Sequence, residues 1–294
     1  MSFSSSRSVP RGLRILLLLT PALLVVAVFF VGGVSQAVAQ SFGYQPFLPS
    51  SRWSADAYRS LWHDPAVRAS LGLTIRVSVL STFLAAIIGV AGALLIRRVG
   101  SRTWAHAMFQ ANLAVPHLVG ALCMLLLLSQ SGLLSRLSHA TGLTSGPADF
   151  PELTQDRFGW GIIAEYVWKE TAFIGVIALA ALNRGVSELE DAARLLGAGA
   201  WQQIRHVTLP ALLPSVSAAS VLVMAFVAGS YEVPYLLGRP YPATLPVVAL
   251  EYYQDVDLTA RPQAMAVAVL ITGVSVVLVA AYFTLTSRLV RREL

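Results

Sequence analysis

Three ionisable residues sit in an apolar stretch where a charge is most costly. Glu165, Lys169 and Glu170 fall inside the run from Gly159 to Leu182, long enough to cross about 30 Å of hydrocarbon as a helix. Charges at that depth are expensive, tend to pair, and mark substrate or ion pathways. Glu165 and Lys169 stand four residues apart with the acid first, a spacing that predicts an ion pair on one helix face. Two roles fit these groups: a structural brace inside a bundle, or a contact with a passing solute or gate. Tyr231 and Glu232 extend the candidate pathway set. They precede Val233-Pro234, where the proline is expected to end or kink a helix and leave carbonyls free to line a cavity. Asn112 and His117, next to Pro116, read as interhelical hydrogen-bonding groups.

Other chemistries find no support in the residue pattern. A phosphate-binding loop needs Gly-Lys-Ser/Thr. The only lysine, Lys169, is flanked by Trp168 and Glu170, so any ATP hydrolysis is expected on a partner. His63, His106, His117, His139 and His206 are scattered, and neither His-x3-His nor paired cysteines occur, so no metal site and no cofactor are expected. Cys123 lies in an apolar run beside Met124 and reads as a membrane-embedded thiol. No Ser/His/acid set converges on one side of the membrane.

The elements that must position these residues follow from composition. The 294 residues are 56% hydrophobic and 12% charged, against about 25% charged in soluble domains. This excludes a soluble enzyme, a disordered chain and a disulfide scaffold, and makes the lipid bilayer the surroundings. The expected fold is all-α, a polytopic membrane protein with six transmembrane helices: Ile15 to Val34, Leu71 to Ile96, Ala107 to Leu128, Gly159 to Leu182, Leu212 to Val233 and Ala264 to Thr286. The net charge of +6 does not imply nucleic acid, because the arginines cluster at span ends as topology signals. Arg7, Arg11 and Arg14, then Arg97, Arg98 and Arg102, then Arg184, Arg194 and Arg205, then Arg288, Arg291 and Arg292 all fall on one side of a six-span chain. That side is predicted cytoplasmic, with both termini inside. Ala37-Val38-Ala39 resembles a cleavage site, but the preceding apolar stretch exceeds the about 7–15 residues of a signal peptide, so a retained anchor is expected. Residues 1–70 read as an N-terminal helix with an outer loop, and 71–294 as a five-helix core with a cytoplasmic loop at 185–210.

That loop carries the most specific pattern. From Glu188 to Pro210 the chain reads ELEDAARLLGAGAWQQIRHVTLP. Helix-favouring residues from Asp191 to Leu196 meet Gly197 and Gly199, which interrupt the helix. Ala200 to His206 is expected to begin a second short helix before the next span. By itself this suits an amphipathic helix on the membrane surface. Its spacing, however, resembles the EAA signature of bacterial ABC importer permeases of the binding-protein-dependent (MetI-like) type. Asp191-Ala192-Ala193, three residues, Gly197, nine residues and Val207-Thr208-Leu209-Pro210 match every spaced position, with Asp191 for Glu and Val207 for Ile.

The resemblance implies the type I ABC importer permease fold and a coupling loop that docks on a separate ATPase. Asp191 would offer a carboxylate to a basic group there, and Ala192 and Ala193 would keep the helix slim. Leu195 or Leu196 would supply an apolar anchor, Gly197 the turn, and Val207, Leu209 and Pro210 the second half of the signature. Implied partners are a cytoplasmic ABC ATPase dimer, a second permease, identical or paralogous, and an extracytoplasmic substrate-binding protein in the bacterial inner membrane system. The run Glu232 to Gly238 and Arg261 to Ala266 look like the branch handling polyamines, ferric ion and aminophosphonates; a sugar-type permease is the alternative. The alternatives from other classes are a passive channel, which would not need the coupling loop, and an intramembrane enzyme, which should show polar catalytic groups converging at one depth.

Overall fold

The computed structural model describes residues 11–46, 52–99, 102–183 and 185–293. Among them all regular structure is helical. Helix α1 (Arg11–Ser41), α2 (Asp56–His63), α3 (Pro65–Val99), α4 (Arg102–Ala114), α5 (His117–Leu128), α6 (Leu133–Ala140) and α7 (Trp160–Leu182) make up the N-terminal part. Helix α8 (Val186–Leu195), α9 (Ala200–Gln203), α10 (Leu209–Gly229), α11 (Glu232–Leu237), α12 (Leu245–Gln254) and α13 (Arg261–Glu293) complete it. Five stretches are long and apolar enough to cross a membrane: Ile15–Ser41, Pro65–Arg98, His117–Ala140, Ala200–Gly229 and Leu258–Thr286. A sixth is counted only if α7 and α8, which are bent relative to each other, are taken as one stretch. Alone, α7 has the length, but it carries Glu165, Lys169 and Glu170, the three charges that make it exceptional.

Helix α7 is nevertheless the most enclosed element. Its buried residues include Ile162, Ile163, Tyr166, Ile174, Ala178 and Leu179, packed with Leu73, Val77 and Ala85 of α3 and with Leu212, Val216, Ala219 and Val223 of α10. Along α3, Ser70, Thr74, Ser78 and Thr82 recur every four positions and are all buried, a stripe of the kind membrane helices use to pack closely. Their hydroxyls do not go unsatisfied throughout. Thr74 donates to the Ser70 carbonyl at 2.8 Å and accepts the Leu245 amide of α12 at 2.9 Å. A second cluster joins Ala57, Leu61 and Val67 to Leu245, Ala266 and Val267. Residues 15–40 of α1 include no buried residue; only Ser41 at its end is buried.

Several boundaries differ from expectation, each for a backbone reason. The third expected span, Ala107 to Leu128, is broken at Val115-Pro116 into α4 and α5. Proline has no amide to donate and disfavours helical geometry at the residue before it. The expected short helix at Ala200 to His206 is instead continuous with the fifth span, through a π-turn over Ile204–Thr208. The Leu209 amide bonds the Ile204 carbonyl, five residues back, and this wider turn accommodates the ring of Pro210. The fifth span ends at Gly229 rather than Val233: Ser230 is extended (ψ 137°), and Pro234 lies in the first turn of α11, where a missing amide costs nothing. The second span starts at Pro65, and α1 continues through Ala37-Val38-Ala39. Arg7 and Arg184 lie outside the described residues, as do the side chains of Arg11, Arg14, Arg102, Arg288, Arg291 and Arg292.

Candidate functional site: a charged helix break and an exposed loop

The charges of α7 meet the break between α4 and α5. Ending α4 at Ala114 leaves carbonyls with no helical partner. The Lys169 ammonium fills that need, donating to the Asn112 carbonyl at 2.6 Å and to the Val115 carbonyl. A cation thus sits at the negative end of α4, where the helix dipole favours it. Asn112 returns the contact, its Nδ2 donating to the Trp168 carbonyl at 2.8 Å. On the other side of the break, His117 opens α5. Its Nδ1 is 3.5 Å from Glu165 Oε1 and its Nε2 is 3.6 Å from Glu170 Oε1, so two carboxylates lie near the positive start of α5.

The expected Glu165–Lys169 ion pair is therefore replaced. Among the described residues neither carboxylate oxygen of Glu165 lies in an ion pair with Lys169; its recorded partner is His117. The lysine is captured by backbone carbonyls because the broken helix presents two of them in one direction. Glu165 is fully buried and Lys169 and Glu170 nearly so. They occupy the first half of α7: Glu165 is about 7.5 Å and Glu170 about 15 Å along the axis from Trp160 at 1.5 Å per residue.

Close approach of α5 to α7 depends on Gly120. A Cβ there would stand 2.9 Å from Glu165 Oε1 and 3.1 Å from the Trp168 ring. Gly120→Val is expected to lose about 1–3 kcal/mol through overpacking, read as a lower unfolding midpoint of the detergent-solubilised protein.

Beside these charges opens a cavity of about 390 Å³, lined by Leu113, Val115, His117, Lys169, Glu170, Phe173, Leu222 and Phe226 among others. The Phe226 ring lies tilted against the His117 ring, 4.9 Å between centroids. The arrangement offers one ammonium, one carboxylate and one imidazole against aromatic walls, suited to a small polar or charged solute. Tyr231 and Glu232 are not brought to it. Both are exposed at the start of α11, and neither lines the cavity.

The second constellation is the α8–α9 loop. Helix α8 ends in a Schellman motif: the Gly197 amide donates to the Arg194 carbonyl and the Ala198 amide to the Ala193 carbonyl, both at 3.0 Å. Gly197 carries the φ of +85° that this stop requires and that L side chains resist. Gly197→Ala meets no neighbouring atom, so its cost is backbone strain of about 1 kcal/mol. The check is hydrogen exchange, with amides of 191–199 exchanging several-fold faster than in the wild type.

The helix after the turn is capped by Gln202, whose Oε1 accepts the Gly199 amide at 2.8 Å. The two halves of the spaced signature come together: Ala192, Ala193 and Leu196 face Val207 and Pro210 across a groove of about 590 Å³. Leu195 and Leu196 are 90% and 89% exposed. Asp191 is exposed and pairs with Arg194 at 3.2 Å, a surface contact worth little. Leu209 is also exposed and stands off the groove.

Residues that sequence reading assigned to other tasks also join these sites. His117 lies between two carboxylates. Glu190 and Arg97, the latter read as a topology marker, form a two-point ion pair. Partners 93 residues apart leave no local signal; only the four-residue spacing of Val186 and Glu190 on one face of α8 hinted that Glu190 turns inward.

A bundle of membrane-length helices with a charged internal cavity and an apolar knob at one end defines a membrane transport subunit. The same fold occurs in a bacterial ABC transporter involved in import of the acidic polysaccharide alginate, with a TM-score of 0.75 over 95% of this chain and 96% of that one at 20% identity. Residues 84–292 match the model for the binding-protein-dependent transport system inner membrane component, and the chain belongs to that family: it is a permease subunit of an ABC importer. Similar proteins include the putrescine transport system permease protein PotI of Escherichia coli, 27% identical over 224 residues, covering 75% of this chain and 73% of PotI. The permease PhnV of Salmonella typhimurium, named for 2-aminoethylphosphonate transport, is 25% identical over 240 residues, covering 81% and 82%.

Proposed function

We propose that this permease is one half of the membrane core of an ATP-driven importer for a small amine-bearing solute. A second permease, identical or paralogous, supplies the other half, an extracytoplasmic binding protein delivers the solute, and a cytoplasmic ABC ATPase pair hydrolyses ATP. The α8–α9 loop docks on the ATPase, with Leu195 and Leu196 as anchors, Asp191 on the rim, and the Ala192, Ala193, Val207 and Pro210 groove receiving part of the partner surface. The observation carrying this reading is the exposure of two adjacent leucines at the head of a groove built from both halves of the signature. Leucines so exposed at a span end suit a partner surface. The unburied α1 suits contact with lipid and the second permease. Both termini are assigned to the cytoplasmic side, the side of the α8–α9 loop.

Solute passes along the face bearing the cavity, where Glu165, Lys169 and Glu170 set the local charge, with Tyr231 and Glu232 placed towards the outer entrance. Amine chemistry is favoured because putrescine and 2-aminoethylphosphonate, for which the relatives are named, both carry a primary amine. The test is thermal unfolding of the binding protein that serves this permease, in the presence of putrescine, 2-aminoethylphosphonate, ferric ion or maltose. Stabilisation by one of the two amines supports the reading, and stabilisation by ferric ion or sugar alone overturns it.

A further inference from the structure

Helix α8 carries two adjacent acids that point to different surroundings. Asp191 is exposed, whereas the neighbouring Glu190, four residues after the buried Val186, turns towards the bundle. Its Oε1 accepts from Arg97 Nη1 at 3.1 Å, its Oε2 accepts from Arg97 Nη2, and the Thr208 hydroxyl donates to Oε1. The Arg97 and Glu190 side chains are only 24% and 16% exposed, against 67% for both members of the Asp191–Arg194 pair. A forked, charge-assisted contact resists rotation as well as separation, and partial burial shields it from salt.

One carboxylate thus ties three elements. Arg97 lies in the last turn of α3. Thr208 closes the π-turn that opens α10, and Thr208 is itself buried. Helix α3 packs against α7, and α10 carries Leu222, Val223 and Phe226 into the cavity wall. We propose that Glu190 is a positioning residue for energy coupling: through Arg97 and Thr208 it makes α8, α3 and α10 move as one body, so displacement of the docking helix reaches the cavity wall. This rests on the docking reading above. Without the fork, α8 follows the ATPase while the spans lag, and ATP is hydrolysed without matching transport.

The test uses the whole importer in nanodiscs, with Cys123→Ser removing the native thiol and spin labels at Glu188→Cys on α8 and Arg98→Cys on α3. With ATP and vanadate, the wild-type separation is expected to hold to within about 2 Å, the scale of helix shifts at interfaces. Glu190→Gln and Arg97→Gln are expected to keep the ATPase bound and hydrolysing, to change that separation by more, and to lower putrescine uptake about tenfold. The exchange Glu190→Arg with Arg97→Glu should restore the fixed separation. Thr208→Val, a milder change, should give an intermediate loosening should the Gln variants prove unstable. An unchanged separation in all these variants overturns the proposal. Loss of ATPase binding in the Gln variants also overturns it, because Glu190 would then shape the docking face rather than transmit from it. A wild-type complex that never retains an ATPase refutes the docking reading itself, a distinct outcome.

Discussion

Replacing Leu195 and Leu196 together with serine is expected to weaken ATPase-subunit binding about a hundredfold or more and to abolish ATP-driven uptake. Burying a leucine is worth about 1.5–3 kcal/mol, and each 1.4 kcal/mol is about tenfold in affinity, so losing two anchors exceeds the effect of any single rim charge. Fold stability should hold, since both side chains are about 90% exposed in the free chain and make no core contact to lose. Co-purification of the ATPase with the permease reads the first effect and unfolding in detergent the second. Asp191→Ala provides the scale: an exposed pair contributes about 0–1 kcal/mol, so binding should weaken only a few-fold. Equal losses from Asp191→Ala and from the leucine pair would show that charge, not apolar contact, holds the ATPase.

Lys169→Met is expected to destabilise the permease by about 3–5 kcal/mol, the cost of removing one partner from a buried charged network. The methionine fills similar volume but donates nothing. It removes the ammonium from the Val115 carbonyl and from the Asn112 carbonyl, which keeps only the Val115 amide, and leaves the Glu165 and Glu170 carboxylates near His117 without the neighbouring ammonium. Lys169→Arg should retain part of the stability, because a guanidinium can still donate to two carbonyls. The unfolding midpoint and the yield of assembled importer measure the effect. A methionine variant as stable as the wild type, with unchanged transport, would remove Lys169 from both the structural and the pathway roles.

Much of this fold was legible because membrane constraints write themselves into length and composition. The apolar runs from Ile15, Leu71 and Ala264 reappear as helices, since a span must satisfy its own backbone groups. The loop signature was legible because a fixed spacing of small residues and glycine has a backbone consequence, seen in the Schellman stop at Gly197. Breaks were read less well. Pro116 was noted for its neighbours rather than as a breaker, yet it splits a span and creates the carbonyls that Lys169 caps. Pro234 was expected to end a helix that had already ended at Gly229. Pairing was the least legible: the i to i+4 rule joined Glu165 to Lys169, but three-dimensional competition from carbonyls and from His117 won. Arg97 and Glu190 lie too far apart in sequence for any local rule to join them.

Site-specific photocrosslinking in the assembled importer tests most directly whether the α8–α9 loop is where the motor engages. A photoreactive residue at Leu195 is predicted to yield an adduct with the mass of this permease plus one ATPase subunit. The same residue at Arg68, at the opposite end of α3 from the loop, is predicted to yield none. Absence of an ATPase adduct from Leu195 in a complex that hydrolyses ATP, or equal adducts from both positions, would contradict the account.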